Sequence, residues 1–226
     1  MSLTSNLLKT GLIVAGLSGL FGCSVDNTLS KEELSRIKTT YSEEYIELKK
    51  AQRVGSIISN SSSEETAGYM IAALLSDSPE ELTSYQAKVQ ENVPGSPEQI
   101  AGYTAALAEE NGNLNQVILN AENSHALSLR SNEVNMYHTL AMTLAEGEMS
   151  KVKKAQKSLL EIDPVMANQK EFDAYTAAMV VVNNDLKLFE NAKELASLME
   201  AKTPEELGLY TISAAIIMTQ TEQDSL

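Results

Sequence analysis

The chain has 226 residues, of which 43% are apolar and 21% are charged, so it can bury a core and does not have a disordered composition. Its formal net charge is -14, from 31 acidic and 17 basic residues. Nucleic-acid binding depends on clustered Lys and Arg, so this balance excludes a typical nucleic-acid partner and favours a basic or neutral protein surface. Two histidines and one cysteine leave little for a metal site, so we expect no metal and no cofactor.

The first 22 residues are ordered like a signal peptide. Lys9 precedes a short apolar run with small residues near its end, and the run is too short for a comfortable bilayer span. The sequence Leu20-Phe21-Gly22-Cys23 resembles the lipobox of bacterial lipoproteins. This resemblance implies a lipoprotein signal peptide over 1–22 and lipidation of Cys23 as the first mature residue. The alternatives are an ordinary signal peptide with an accidental cysteine, or an uncleaved anchor.

The residue after the cysteine bears on location. Ser24 resembles the sorting pattern for the outer membrane, and not the Asp that retains enteric lipoproteins at the inner membrane. The resemblance therefore implies a lipid-anchored protein on the periplasmic face of the outer membrane. Residues 23–30 are polar and are predicted to form a tether between the lipid and the folded body.

Helix start signals divide the rest of the chain. Ser30 and Glu33 form a capping-box pattern that predicts an N-terminal helix over 31–60, ending near 58. Three sequences, 78–81, 96–99 and 203–206, place a hydroxyl at the N-cap, proline at N1 and an acid or amide at N3. No stretch alternates as a strand would, so we predict no sheet.

Five Ala-rich apolar stretches each carry a tyrosine at nearly fixed spacing. The intervals between these tyrosines are 34, 34, 38 and 35 residues, which is the period of a stacked two-helix repeat. Aromatic residues at a fixed repeat position usually belong to the core, so we predict a packing role. The five are Tyr69, Tyr103, Tyr137, Tyr175 and Tyr210.

The turns between helices add a family resemblance. Residues 146–149, followed by spaced small and apolar residues and Asp163-Pro164, resemble the second half of a tetratricopeptide repeat, and the segments 112–114 and 184–186 resemble the same turn. The resemblance covers about 61–220. The first-helix Trp pattern of the family is replaced by Tyr followed by Ala. It implies an all-α fold, an α-α superhelix of degenerate tetratricopeptide-like helix pairs over 61–226 with the extra N-terminal helix.

Such a superhelix presents a concave groove that suits an extended or helical peptide. We expect the residues after the tyrosines, with two nearby polar residues, to line it. The predicted protein-binding residues are Thr104, Asn135, His138, Asp173, Thr176 and Thr211, bordered by Glu109, Glu110, Glu146 and Asp185.

Motifs for catalysis are missing from the sequence. His125 and His138 lie 13 residues apart, and neither a His-Glu-x-x-His nor a Gly-x-Ser-x-Gly pattern occurs. Paired acids fall mostly in first or last helical turns, where a solvated acidic face is the ordinary explanation. We therefore expect no catalytic residues and no enzyme activity.

The lipobox, acidic repeats and small size together resemble the tetratricopeptide lipoproteins of pilus and secretion systems, including pilotins. This resemblance implies a lipid-anchored adaptor that binds a segment of an envelope protein and assists assembly of such a machine. One alternative is a structural subunit of an outer-membrane complex, similar to the helical-repeat lipoprotein of the barrel-assembly machinery. A solute-binding or degradative extracytoplasmic protein is a third.

Overall fold

The computed structural model describes residues 29–127, 135–163 and 168–224, which contain α-helices and short 3₁₀ turns and no strand. The predicted all-α class is confirmed. The helices are α1 (Lys31–Thr40), α2 (Ser42–Ile58), α3 (Ser63–Leu75), α4 (Pro79–Asn92), α5 (Pro97–Glu109), α6 (Leu114–Ser124), α7 (Asn135–Leu144), α8 (Met149–Ile162), α9 (Gln169–Val181), α10 (Leu186–Ala196) and α11 (Pro204–Asp224).

The helices begin where the cap signals predict. The Ser30 hydroxyl accepts from the amide of Glu33, whose carboxylate in turn accepts from the Ser30 amide at 2.8 Å. Hydroxyls cap the other predicted starts in the same way, because they satisfy amides that the first turn leaves without partners. These caps are Ser62, Ser78, Ser96 and Thr203.

The predicted single N-terminal helix is instead two helices, α1 and α2. The backbone leaves the helical region at Tyr41, with φ -118° and ψ 46°. The bend sets α1 against α10, where Arg36 forms an ion pair with Glu194 and the Tyr41 hydroxyl donates to Glu194 at 3.3 Å. The break thus coincides with a contact between residues that are distant in the sequence.

Three inter-helix turns share one backbone conformation. Each has two consecutive residues with positive φ, at 111–112, 146–147 and 183–184. In each, the amide of the second residue bonds back to a carbonyl of the preceding helix at 2.8–2.9 Å, as at the end of a Schellman-type cap. These are the turns that resemble the tetratricopeptide turn, so the repeat exists in the backbone as well as in the sequence.

The five tyrosine-bearing helices, α3, α5, α7, α9 and α11, form a ring, and we call them the inner helices. Each contacts the next in chain order, and α11 also packs against α3. The outer helices α2, α4, α6, α8 and α10 each pack chiefly on the inner helix that follows them. The helix pairs therefore wind once and close. The sequence does not predict this closure.

The five tyrosine side chains pack in the core, as predicted. Tyr69, Tyr137, Tyr175 and Tyr210 are 1–2% exposed, and Tyr103 is partly buried. The Tyr175 ring meets the Phe189 ring of α10 edge-on at 5.6 Å, and the Tyr69 hydroxyl accepts from Gln86 of α4. Tyr69 thus supplies both apolar area and a hydrogen-bonded polar tip between an inner and an outer helix.

Candidate functional site

The predicted groove residues that can be described lie inside the ring. Thr104, Thr176 and Thr211 are fully buried, and each hydroxyl donates to the carbonyl four residues earlier in its own helix. The expectation that they line an open groove is therefore wrong. The contact between α11 and α3 closes the ring of inner helices, and the described threonines lie within that packed ring and not on an open face.

His138 and Asp173 are also buried, but the structure brings them together. The Nε2 atom of His138 lies 2.9 Å from Oδ1 of Asp173, which also accepts from the side-chain amide of Gln169 at 2.9 Å. His138 is 2% exposed and Asp173 is 0% exposed. The other ring nitrogen, Nδ1, and the other carboxyl oxygen, Oδ2, have no hydrogen-bond partner within the described structure.

Three predicted features cannot be judged from the structure. The signal peptide over 1–22 and the lipidation site Cys23 lie outside the described residues. Asn135 begins α7, but its side chain is not among those described. The lipid anchor and a groove role for Asn135 therefore stay predictions.

Side-chain hydrogen bonds between different inner helices gather at their N-terminal ends. The cap Ser62 donates to Glu98 of α5 at 2.8 Å, and Tyr137 of α7 donates to Glu64 of α3 at 2.6 Å. The cap residue of α9, Asn168, donates to Glu205 of α11 at 2.9 Å. These bonds join first turns, so the inner helices all begin at the same end of the ring.

We call the polar groups at this end the amino-end cluster. It comprises Glu64, Glu98, Tyr137, His138, Gln169, Lys170, Asp173 and Glu205.

The cluster has a positional pattern that the sequence reading missed. Glu64, Glu98, Lys170 and Glu205 each occupy the second position of an inner helix. From the sequence, acids in first or last helical turns are interpreted as a solvated acidic face, and that interpretation does not bring them together. If the sequences of the inner helices are aligned at their N-caps, the second residue of the helix is Glu in three of them and Lys in one.

The carboxylates set the electrostatics of the amino-end cluster. Burial, the hydrogen bond to Glu64 and the nearby carboxyl groups of Glu64, Glu205 and Asp173 strongly raise the pKa of the Tyr137 phenol, which stays a donor. Burial opposes ionisation of Glu98, but hydrogen bonds from its own amide and Ser62, together with Lys170, lower its pKa. The cluster holds four carboxyl groups, and the one cation recorded beside them, Lys170, acts on Glu98, so a cation is the ligand class that this arrangement favours.

The acids predicted to border the groove lie toward the opposite end of the ring. Glu109 ends α5, Glu110 follows it, and Glu146 lies in the turn after α7, whereas Asp185 caps α10 by accepting from the Leu188 amide. Burial, with Glu110 and Glu146 adding to it, raises the pKa of Glu109. Glu109 and Glu110 lie at the C-terminal end of α5, where the negative end of the helix dipole disfavours a carboxylate, whereas Asp185 lies at a helix N-terminus.

The described residues contain no group of three or more His, Cys, Asp or Glu side chains arranged to hold a metal ion. None of the helices within the described ranges is both long enough and apolar enough to cross a bilayer. Comparison of the chain with known protein families, with characterised proteins and with solved structures returned no match.

Proposed function

We propose that this protein is a non-enzymatic, lipid-anchored adaptor on the periplasmic face of the outer membrane. It binds a basic segment of another envelope protein at the amino-end cluster and assists assembly of a pilus or secretion machine. The observation that carries the binding step is the set of second-position acids, Glu64, Glu98 and Glu205, which neighbouring inner helices bring to one end of the ring.

The chemistry of the cluster favours an ammonium or guanidinium group. Its carboxyl groups come from α3, α5, α9 and α11, so they are spread over a surface and suit several cations of a peptide better than one small ion. Asp173 lies one helical turn further into the ring and is 0% exposed, so a bound segment meets the partly exposed Glu64, Glu98 and Glu205 and not Asp173.

The adaptor role rests on the sequence features of the N-terminus and the repeats. A lipid on Cys23 holds the protein at a membrane, and the polar residues up to Ser30 give the folded ring some reach. Helix-pair rings offer broad surfaces for protein contacts without needing catalytic groups. The resemblance to pilus and secretion lipoproteins supplies the class of machine.

In-cell photo-crosslinking tests the binding step. A photoreactive amino acid at Lys170, which is exposed at the amino end, should capture a specific envelope protein with a basic segment. The same amino acid at Glu146, exposed at the opposite end, is the position control. Glu98→Gln with Glu205→Gln should reduce capture while keeping acceptors for Ser62 and Asn168; Glu146→Gln with Glu148→Gln is the charge-matched control.

The identity of the captured protein decides among the functions. A pilus or secretion component supports the assembly adaptor, whereas a subunit of a standing outer-membrane complex would make the protein a structural subunit. Cys23→Ser should release the protein from outer-membrane fractions, because acyl chains supply about 0.8 kcal/mol of membrane affinity per buried methylene. Equal capture from both ends, or normal assembly of every surface machine in a deletion strain, would refute the proposal.

A further inference from the structure

The outward side of α2 carries an unusual set of exposed side chains. One side of the helix carries Ile46, the adjacent Lys49 and Lys50, Arg53 and Ile57, which recur at helical steps of three or four residues. All five are exposed, and the two isoleucines, 53% and 75% exposed, are the most exposed large apolar side chains in the described structure. We call these five residues the α2 outer face.

The cations of this face are only partly neutralised. Lys50 forms an ion pair with Glu47 at 2.6 Å. Lys49 lies over the Tyr45 ring at 5.7 Å and donates to Gln52, and no described carboxylate lies within 4 Å of Lys49 or Arg53. Apolar side chains flanking free cations, with lysine stems lying on apolar surface, are the composition of segments that rest at a membrane interface.

The part of α2 that follows Glu47 contrasts in charge with the rest of the molecule. The chain has a net charge of -14, yet residues 48–58 contain three cations and no acid. The other lysine-rich helix, α8, has Lys151 paired with Glu146 and Glu148 and Lys157 3.9 Å from Glu161, so what sets α2 apart is that two exposed isoleucines flank its cations. The α2 outer face is therefore a basic and apolar surface on an acidic protein, and its electrostatic complement is an anionic surface.

We propose that the α2 outer face rests on the anionic phospholipid surface of the membrane that carries the chain, and so fixes the orientation of the ring. This inference rests on the lipid anchor of the proposed function. Seven peptide units separate Cys23 from Ser30 and can span at most about 25 Å, so α1 starts within that distance of an acylated Cys23. Since α2 follows α1 after one residue, its basic side lies within reach of the lipid headgroups.

The proposed orientation on the bilayer leaves the amino-end cluster accessible. A ring held by one outer helix keeps its two ends free, so the amino-end cluster stays open to a partner in the periplasm. The lipid tether alone would allow the ring to tumble, whereas a second contact reduces that freedom, as single acyl chains commonly need a basic patch for stable attachment.

Single thiol labels test this contact on the acylated, full mature protein. Cys23 is the only cysteine, so its acylation leaves an introduced cysteine as the sole free thiol. Ile46→Cys and Ile57→Cys, labelled with a polarity-sensitive fluorophore, should shift to the blue and lose quenching by a soluble quencher in vesicles containing phosphatidylglycerol. Labels at Leu160→Cys on α8 and Ile118→Cys on α6, which are 49% and 43% exposed, should not change.

A charge variant distinguishes membrane contact by the α2 outer face from membrane attachment by the lipid anchor. Lys49→Glu with Arg53→Glu should abolish the blue shift at Ile57→Cys but leave flotation with the vesicles intact, because the acyl chain remains. The shift should also be lost in vesicles of phosphatidylcholine alone. An unchanged label at positions 46 and 57 on protein that floats, or an equal change at Leu160→Cys, would overturn the proposal.

The lipid anchor is tested separately. Mass spectrometry shows whether Cys23 is acylated, and flotation of the unlabelled protein shows whether it binds vesicles. If Cys23 proves unmodified, the same labels are measured on the Cys23→Ser chain mixed with phosphatidylglycerol vesicles, and the same contrast between α2 and α8 is expected. Absence of that contrast, or labels that respond only to an acidic protein and not to vesicles, would overturn the surface assignment.

Discussion

The imidazole Nε2 of His138 lies 2.9 Å from the carboxyl Oδ1 of Asp173, and this contact joins α7 to α9 inside the buried core of the ring. Gln169 donates to the same oxygen from the first turn of α9. The pair is completely enclosed, yet one atom of each partner, Nδ1 and Oδ2, lacks a described hydrogen-bond partner. A buried polar pair of this kind costs desolvation, so its two members depend on one another.

A double-mutant cycle should reveal that dependence. We expect His138→Leu or Asp173→Leu alone to lower the free energy of unfolding by about 3 kcal/mol, because each removes the partner that the other group has in the buried core. The double variant should lose clearly less than the sum of the two single losses. Urea unfolding of the four proteins measures this. Additive losses would mean that the 2.9 Å contact contributes no coupling.

Ring closure predicts how the protein responds to loss of its last helix. Because α11 packs against α9, α10, α3 and α2, removing residues 201–226 opens the ring on two sides. We expect the truncated protein to lose its sharp urea transition and much of its near-ultraviolet signal, with helical far-ultraviolet signal partly retained. An open repeat array would lose only one interface and keep a cooperative transition.

Local sequence signals predicted the repeats but not their closure. The tyrosine period, the caps such as Ser62 and Ser96, and the turns at 111–112 and 146–147 are set by residues close in the chain. Closure of the ring depends on the angle by which each helix pair is rotated relative to the next. That angle depends on how closely neighbouring inner helices approach each other. The break at Tyr41 likewise coincides with a contact, to Glu194, that lies far away in the sequence.

The candidate site was only half accessible to sequence reasoning. His138 and Asp173 were singled out from their places beside the tyrosines, and the structure brings them together, but inside the ring and not on a groove. The second-position acids Glu64, Glu98 and Glu205 were explained by their own helices, which gives no sign that they converge. Their convergence follows from the ring, so it could not be predicted before the ring was known.

Two glutamates should affect stability with opposite dependence on pH. Burial opposes ionisation of Glu65, but the hydroxyls and amides of Ser59, Asn60 and Ser61 donate to its Oε2 at 2.8–3.0 Å and lower its pKa. A lowered pKa stabilises the fold above the unfolded pKa of about 4.3 and loses that contribution as pH falls. Glu65→Gln should therefore cost about 1–2 kcal/mol at pH 7 and less near pH 4.

Glu109 provides the matched opposite case. Burial, Glu110 and Glu146 raise its pKa, so its contribution is most favourable below the unfolded pKa and is lost as pH rises through the higher folded pKa. Glu109→Gln should thus stabilise the protein at pH 7, by up to about 1 kcal/mol after screening, and show little effect near pH 4. Thermal unfolding from pH 4 to pH 8 measures both variants. Parallel pH profiles for the two would contradict the assignment.

The seam between α9 and α11 depends on the absence of a side chain at Gly208. A Cβ added there would lie 2.5 Å from the Cβ of Ala174, a distance that requires the helices to move apart. In a free helix, replacing glycine by alanine is favourable by about 1 kcal/mol. Here we expect Gly208→Ala to lower the free energy of unfolding by about 1–3 kcal/mol, because overpacking outweighs helix propensity.

The reverse change on the facing helix is the control for that interpretation. Ala174→Gly alone should cost about 1 kcal/mol through propensity, but combined with Gly208→Ala it removes the colliding methyl group. The double variant should therefore be more stable than Gly208→Ala. Urea unfolding of both single variants and the double variant measures this coupling. If the double variant loses the sum of the two single effects, the cost at Gly208 does not arise from contact with Ala174, and the seam does not depend on this close approach.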